Sequence, residues 1–154
     1  MKMMDSHGYF LRKLFVLVTC IVTSAAGVLS ASTKNADAEI HAIMAAQVAA
    51  WNRGDIDGFM EAYARSPATE FVAGASLTRG WQTLRDRYKK KYDSREKMGT
   101  LTFSEVKITS ISPDAAIVVG RWKLARKGDK PHGIFTLLFR RTSAGWRIVH
   151  DHTS

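Results

Sequence analysis

The chain has 154 residues, 45% hydrophobic and 24% charged, with 23 Lys+Arg against 14 Asp+Glu and a formal charge of +9. That length suits one domain rather than two, and the ordinary apolar fraction argues against wholesale disorder. A single cysteine, Cys20, excludes an intramolecular disulfide and any multi-cysteine metal site.

Residues 1–31 predict a secretory signal peptide. Lys2, Arg12 and Lys13 form a basic start, and an apolar run from Leu14 to about Leu29 follows. Small residues (Ser24, Ala25, Ala26, Gly27) sit towards its end. The small-x-small rule allows cleavage after Ala26 or Ala38, so processing is expected between residues 26 and 38. Two rivals are weaker. An uncleaved anchor has barely enough apolar length to span a bilayer, and lipidation at Cys20 has the poorly suited Thr19 before it. The expected location is secreted or periplasmic, with membrane contact only if the segment is uncleaved. Residues 32–154 retain 20 basic and 13 acidic side chains and no cysteine, so thiol chemistry is excluded.

A domain over residues 36–154 then begins with helices. Ile40, Ile43, Met44, Val48 and Trp51 share one face of an amphipathic helix. In Asn52-Arg53-Gly54-Asp55, Gly54 can end that helix in the left-handed conformation and Asp55 can cap the next. Ile56, Phe59, Met60 and Tyr63 repeat the helical spacing until Pro67 closes the segment. Short extended stretches are expected from Thr69 to Val72 and up to Thr78. Gly80 precedes a third helix on which Trp81, Leu84, Tyr88 and Tyr92 share a face.

From Thr100 the hydrophobic period becomes two. Leu101 and Phe103 alternate in one phase and Val106 and Ile108 in the other, so a bulge near Ser104–Glu105 is expected. Ala115–Lys127, His132–Thr142 and Trp146–Thr153 read as three more strands, joined by turns at Lys127–Lys130 and Ser143–Trp146. Helices followed by a strand meander predict an α+β fold with the helices on one face of an antiparallel sheet.

Several of these segments resemble the nuclear transport factor 2-like superfamily, in its bacterial SnoaL-like branch of largely unknown function. They are Trp51-Asn52-Arg53-Gly54-Asp55, Tyr63, Gly80, Gly133-x-Phe135-Thr136-Leu137 and the final stretch from Gly145 to Ser154. The resemblance covers about residues 36–154. It implies a curved sheet wrapped around the helices as a cone, a pocket at the open end, and usually a dimer. It implies no single activity, since members range from isomerases, dehydratases and cyclases to association domains.

Four histidines lie within the domain: His41, His132, His150 and His152. Strict alternation points His150 and His152 the same way, but a tight turn at Ala144-Gly145 leaves His132 unable to join them. No metal site is therefore expected. That register puts His152 opposite Leu137 and His150 opposite Phe139, on an aromatic face with Trp146 and Ile148. Extended one strand further, it sets Gly120 near Leu137 and His152 and Trp122 near Phe135, leaving a gap beside the glycine. The expected pocket is therefore lined by Trp122, Leu137, His150 and His152, with Tyr63 and Tyr88 (or Tyr92) supplying hydroxyls.

His152 is the candidate acid–base group, because an imidazole titrates near neutrality. Asp151 is expected on the opposite face, paired with Arg121 or a helix end. That outer face mixes apolar and charged residues, as suits a partner subunit. Arg79–Lys97 holds eight basic residues. With the aromatic face buried, they are expected on a solvated surface rather than against nucleic acid.

The resulting expectation is an exported domain that binds a small apolar or amphipathic ligand, forms a homodimer through the outer sheet face, and uses no cofactor. One alternative is a cofactor-free isomerase or dehydratase using His152. Another is a non-catalytic association domain.

Overall fold

The computed structural model describes residues 36–154. The expected signal peptide, residues 1–31 with Cys20, lies outside the described residues. Helix α1 occupies residues 36–52 and buries Ile40, Met44, Gln47, Ala50 and Trp51.

The Trp51–Asp55 stretch ends α1 as its residue types require. Gly54 adopts φ 87°, a conformation that costs glycine no steric strain. Asp55 accepts a hydrogen bond from the Gly58 N–H at 2.7 Å and so caps α2, Ile56–Met60. Asn52 reaches across to Leu101, donating to its carbonyl at 3.1 Å and accepting from its N–H at 2.7 Å. One side-chain amide thereby satisfies both backbone groups of a neighbouring strand residue, as a ladder partner would.

The helical spacing through Tyr63 predicts a longer α2 than is present. The helix stops at Met60 because the next residues pair with the sheet. The Ile148 N–H donates to the Ala62 carbonyl and the Ala64 N–H to the Ile148 carbonyl, both at 2.8 Å. Tyr63 is thus held alongside the last strand in an isolated bridge.

Then follow β1 (Glu70–Ala73), β2 (Ser76–Arg79), α3 (Trp81–Lys91), the single-turn α4 (Arg95–Met98), β3 (Thr100–Ser112), β4 (Ala115–Ala125), β5 (His132–Thr142) and β6 (Gly145–Thr153). They form one unclosed sheet of six strands in the order β2-β1-β6-β5-β4-β3. The fold is α+β, as the pattern of elements predicts. One edge differs from the antiparallel expectation: β1 runs parallel to β6, with Phe71 opposite Asp151. The bulge expected in β3 is present. Its register shifts between Ser104 and Lys107, and Glu105 takes φ 51°. Such an insertion bends its strand, which helps the sheet curve over the helices.

The register of the last hairpins departs from the sequence expectation in two places. The turn falls at Ser143-Ala144, with Thr142 opposite Gly145, rather than at Ala144-Gly145. More consequentially, β6 carries its own bulge. Phe139 pairs with Ile148 but Leu138 pairs with His150, so Val149 is the extra residue. A one-residue insertion reverses which face every later side chain occupies. Trp146 and Ile148 point inward as expected, but beyond Val149 the inward residues are Asp151 and Thr153.

Candidate functional site

Between the helices and the inner sheet face lies a cavity of about 240 Å³. Its walls are aromatic and aliphatic. Helices α1 to α3 contribute Trp51, Phe59, Tyr88 and Lys91, with Tyr92 at the end of α3; β1 contributes Phe71. The long strands add Leu101 and Phe103, Trp122 and Leu124, and Phe135 and Leu137. The rings brace each other: Trp51 meets Tyr92 edge-on at 4.7 Å and Phe59 at 5.1 Å, and Phe103 lies 5.1 Å from Phe135. Trp51 is fixed in turn by its indole N–H, which donates to the Met98 carbonyl at 3.1 Å. Gly120 is why Phe135 reaches its place. A Cβ there would stand 2.5 Å from the ring, so only glycine lets the ring lie across β4.

One side-chain carboxyl stands in this wall. Asp151 is 4% exposed, accepting from the Tyr63 hydroxyl at 2.6 Å and from the Thr153 hydroxyl at 2.8 Å. Burial raises its pKa from 3.8 to about 6, against the opposing pull of those two hydroxyls and of the His150 and His152 rings. Burial also pushes the Tyr63 phenol well above its ordinary value, with the Asp151 charge adding to it, and burial does the same for neighbouring Tyr88. Both tyrosines therefore stay protonated as donors, and Asp151 is the group in the cavity that changes charge near neutrality. Gln47 adds a second buried polar group; its Nε2 donates to the Phe59 carbonyl at 3.4 Å and its Oε1 has no partner.

The structure sorts the expected site residues into two groups. Tyr63, Tyr88, Trp122 and Leu137 line the cavity. His150 and His152 do not, because the Val149 bulge turns them outward. His152 is exposed opposite Thr136, while His150 is half-buried opposite Leu138, with Nδ1 3.2 Å from Glu70 Oε2. The acid–base role expected of His152 is corrected on that ground, since an exposed ring on the outer face reaches nothing bound inside. The expectation for Asp151 reverses as well: Arg121 pairs instead with Glu105 at 2.9 Å, and Asp151 faces inward. The gap expected beside Gly120 is filled by Phe135, its actual cross-strand neighbour; Trp122 pairs with Gly133. Among the described residues no three His, Cys, Asp or Glu side chains converge as metal ligands would.

Sequence patterning did not single out Phe71, Phe103, Gln47 or Thr153 for the cavity. The spacing signal was there for Thr153, two residues from Asp151 and hence on its face. For Phe71 there was none, because its position depends on the parallel pairing of β1 with β6.

The sequence profile described as the SnoaL-like domain matches residues 40–154. Among solved structures, the chain is similar to a nuclear transport factor 2-like protein of unknown function from Shewanella oneidensis MR-1. That match has 37% identity and a TM-score of 0.74, over 77% of this chain and 98% of the other. A nuclear transport factor 2 superfamily protein from Salmonella enterica serovar Typhimurium LT2 matches at 22% identity, TM-score 0.65, over 79% and 92%. A nuclear transport factor 2-like protein of unknown function from Pseudomonas putida KT2440 matches at 17%, TM-score 0.64, over 79% and 87%. The last two carry the fold alone. No curated protein matches.

Proposed function

The chain belongs to the SnoaL-like domain family, and from that premise we propose that it binds a small, largely apolar organic molecule in the cavity, oriented by Asp151. The observation that carries this reading is the buried Asp151 carboxyl in an aromatic wall. A carboxylate held there is costly to ionise, and an apolar residue of similar size would serve packing better. A group that accepts a hydrogen bond from a ligand accounts for its presence. The test is a thermal-shift screen of aromatic fragments. A ligand that binds only the native state stabilises it, by roughly 2.7 kcal/mol at one hundred times its Kd. Absence of any shift at millimolar concentrations across such a panel overturns the reading.

A second reading, proton transfer in a cofactor-free isomerisation or dehydration, is favoured by one observation: Asp151 is buried in the cavity wall, and that burial lifts its pKa to about 6. A carboxylate poised there can take a proton from a bound molecule and return it, while Tyr63 holds Oδ2 in place. With any substrate found, Asp151→Asn should abolish turnover and leave binding intact, and kcat/KM should rise with pH through about 6.

Two companion features belong to the same proposal. Export is supported by the basic and apolar pattern of residues 1–31. It is tested by N-terminal sequencing of protein recovered from the periplasm or medium, where an intact Met1 overturns cleavage. A homodimer through the outer sheet face is supported by Val119 and Ile134, 40% and 45% exposed beside Arg121. Sedimentation should show a dimer that Val119→Lys with Ile134→Lys converts to monomer.

A further inference from the structure

The basic run on and around α3 is not uniform. Arg79 pairs with Glu70, Arg85 and Lys89 both pair with Asp57, and Lys97 pairs with Asp93. Arg95 donates to the Trp51 and Gly99 carbonyls. Arg87 and Lys91 have no carboxylate partner among the described residues, and both line the cavity. They are four apart on one helix, which brings two like charges together at a small cost to the helix.

Arg87 is also held in position. Its guanidinium donates to Thr78 Oγ1 at 2.5 Å and Ser76 Oγ at 3.2 Å, and lies 5.1 Å from the centre of the Phe71 ring. These neutral contacts orient the group and leave its charge uncompensated. The acid in the cavity wall, Asp151, accepts from Tyr63 and Thr153 rather than from either of these cations.

We infer that the ligand is an amphipathic carboxylate, its apolar body among the aromatic walls and its anionic head on Arg87 and Lys91. This rests on the cavity being a ligand site. The arrangement also imposes orientation. The two cations attract an anionic head to the α3 side of the cavity, and the Asp151 carboxylate on β6 disfavours an anion placed against it. A planar guanidinium held by its hydroxyl contacts is suited to a carboxylate, and the lysine, its Nζ 5.3 Å from the Tyr92 ring, adds a second charge.

The test compares cinnamate with cinnamamide, which share a body and differ in head-group charge, by titration calorimetry on the full chain. Cinnamate should bind about tenfold more tightly than the amide, and the preference should shrink as ionic strength rises. The double variant Arg87→Gln, Lys91→Gln should erase the preference and leave amide affinity unchanged, with its melting temperature checked against wild type. Equal affinities for both probes overturn the inference while leaving the cavity reading standing. A preference that survives in the double variant overturns the assignment to these two residues. Binding of neither probe overturns the cavity reading for such fragments, and the inference with it.

Discussion

Replacing Asp151 by Asn tests the buried carboxyl directly. Burial raises its pKa in the folded protein from 3.8 to about 6. Between those values the folded state holds a proton that the unfolded state has lost, so the contribution of Asp151 to stability falls as pH rises. It is most favourable below about pH 3.8 and fully lost above about pH 6. The difference corresponds to about 3 kcal/mol, from 1.36 kcal/mol per pH unit. Asparagine keeps an oxygen for Tyr63 and offers an N–H to the Thr153 hydroxyl, and it does not ionise. The variant should therefore gain on wild type by up to about 3 kcal/mol between pH 4 and pH 8, which for a domain of this size is roughly 10 °C in Tm. Paired denaturant titrations across that range measure the difference, and effects of the other carboxylates, common to both proteins, cancel. A gap that stays flat across the range, or that closes as pH rises, would refute the assignment of a raised pKa to Asp151.

Gly120→Ala places a methyl 2.5 Å from Phe135. It should cost about 1–3 kcal/mol by overpacking and, by driving the ring into the cavity, weaken any cavity ligand, as urea unfolding and ligand titration will show. Asn52→Ala strands both backbone groups of Leu101 and should cost about 1–3 kcal/mol in the same unfolding assay. His152→Ala should change stability by no more than about 0.5 kcal/mol and leave ligand affinity unaltered; a large loss of affinity restores that residue to the site.

Much of the architecture was legible because it follows from local rules. Alternation placed Phe135, Leu137 and Phe139 on the inner face, helical spacing grouped Trp81, Leu84, Tyr88 and Tyr92, and Gly54 with Asp55 marked a helix end and a helix start. The phase reversal between Phe103 and Val106 disclosed the β3 bulge, since apolar residues on both sides recorded the change. What depended on long-range pairing was not legible. The parallel contact of β1 with β6 joins segments some eighty residues apart, and it is what brings Phe71 to the cavity.

The β6 bulge shows why the site was harder to read than the fold. In Trp146-Arg147-Ile148-Val149-His150-Asp151-His152, strict alternation yields a plausible strand, with two histidines completing the aromatic face. The actual strand inserts Val149, and the residues after it are polar in both phases, so hydrophobicity leaves no trace of the slip. Only Tyr63 distinguishes the two registers. Its buried hydroxyl needs an acceptor, and the bulged register supplies one in Asp151 at 2.6 Å. Tyr63 is held at that position by backbone bonds between its flanking alanines and Ile148, the last residue before the insertion. One short segment of β6 thus anchors the tyrosine and reverses the strand behind it. It thereby sets a buried carboxyl, rather than an imidazole, among the polar groups of the cavity.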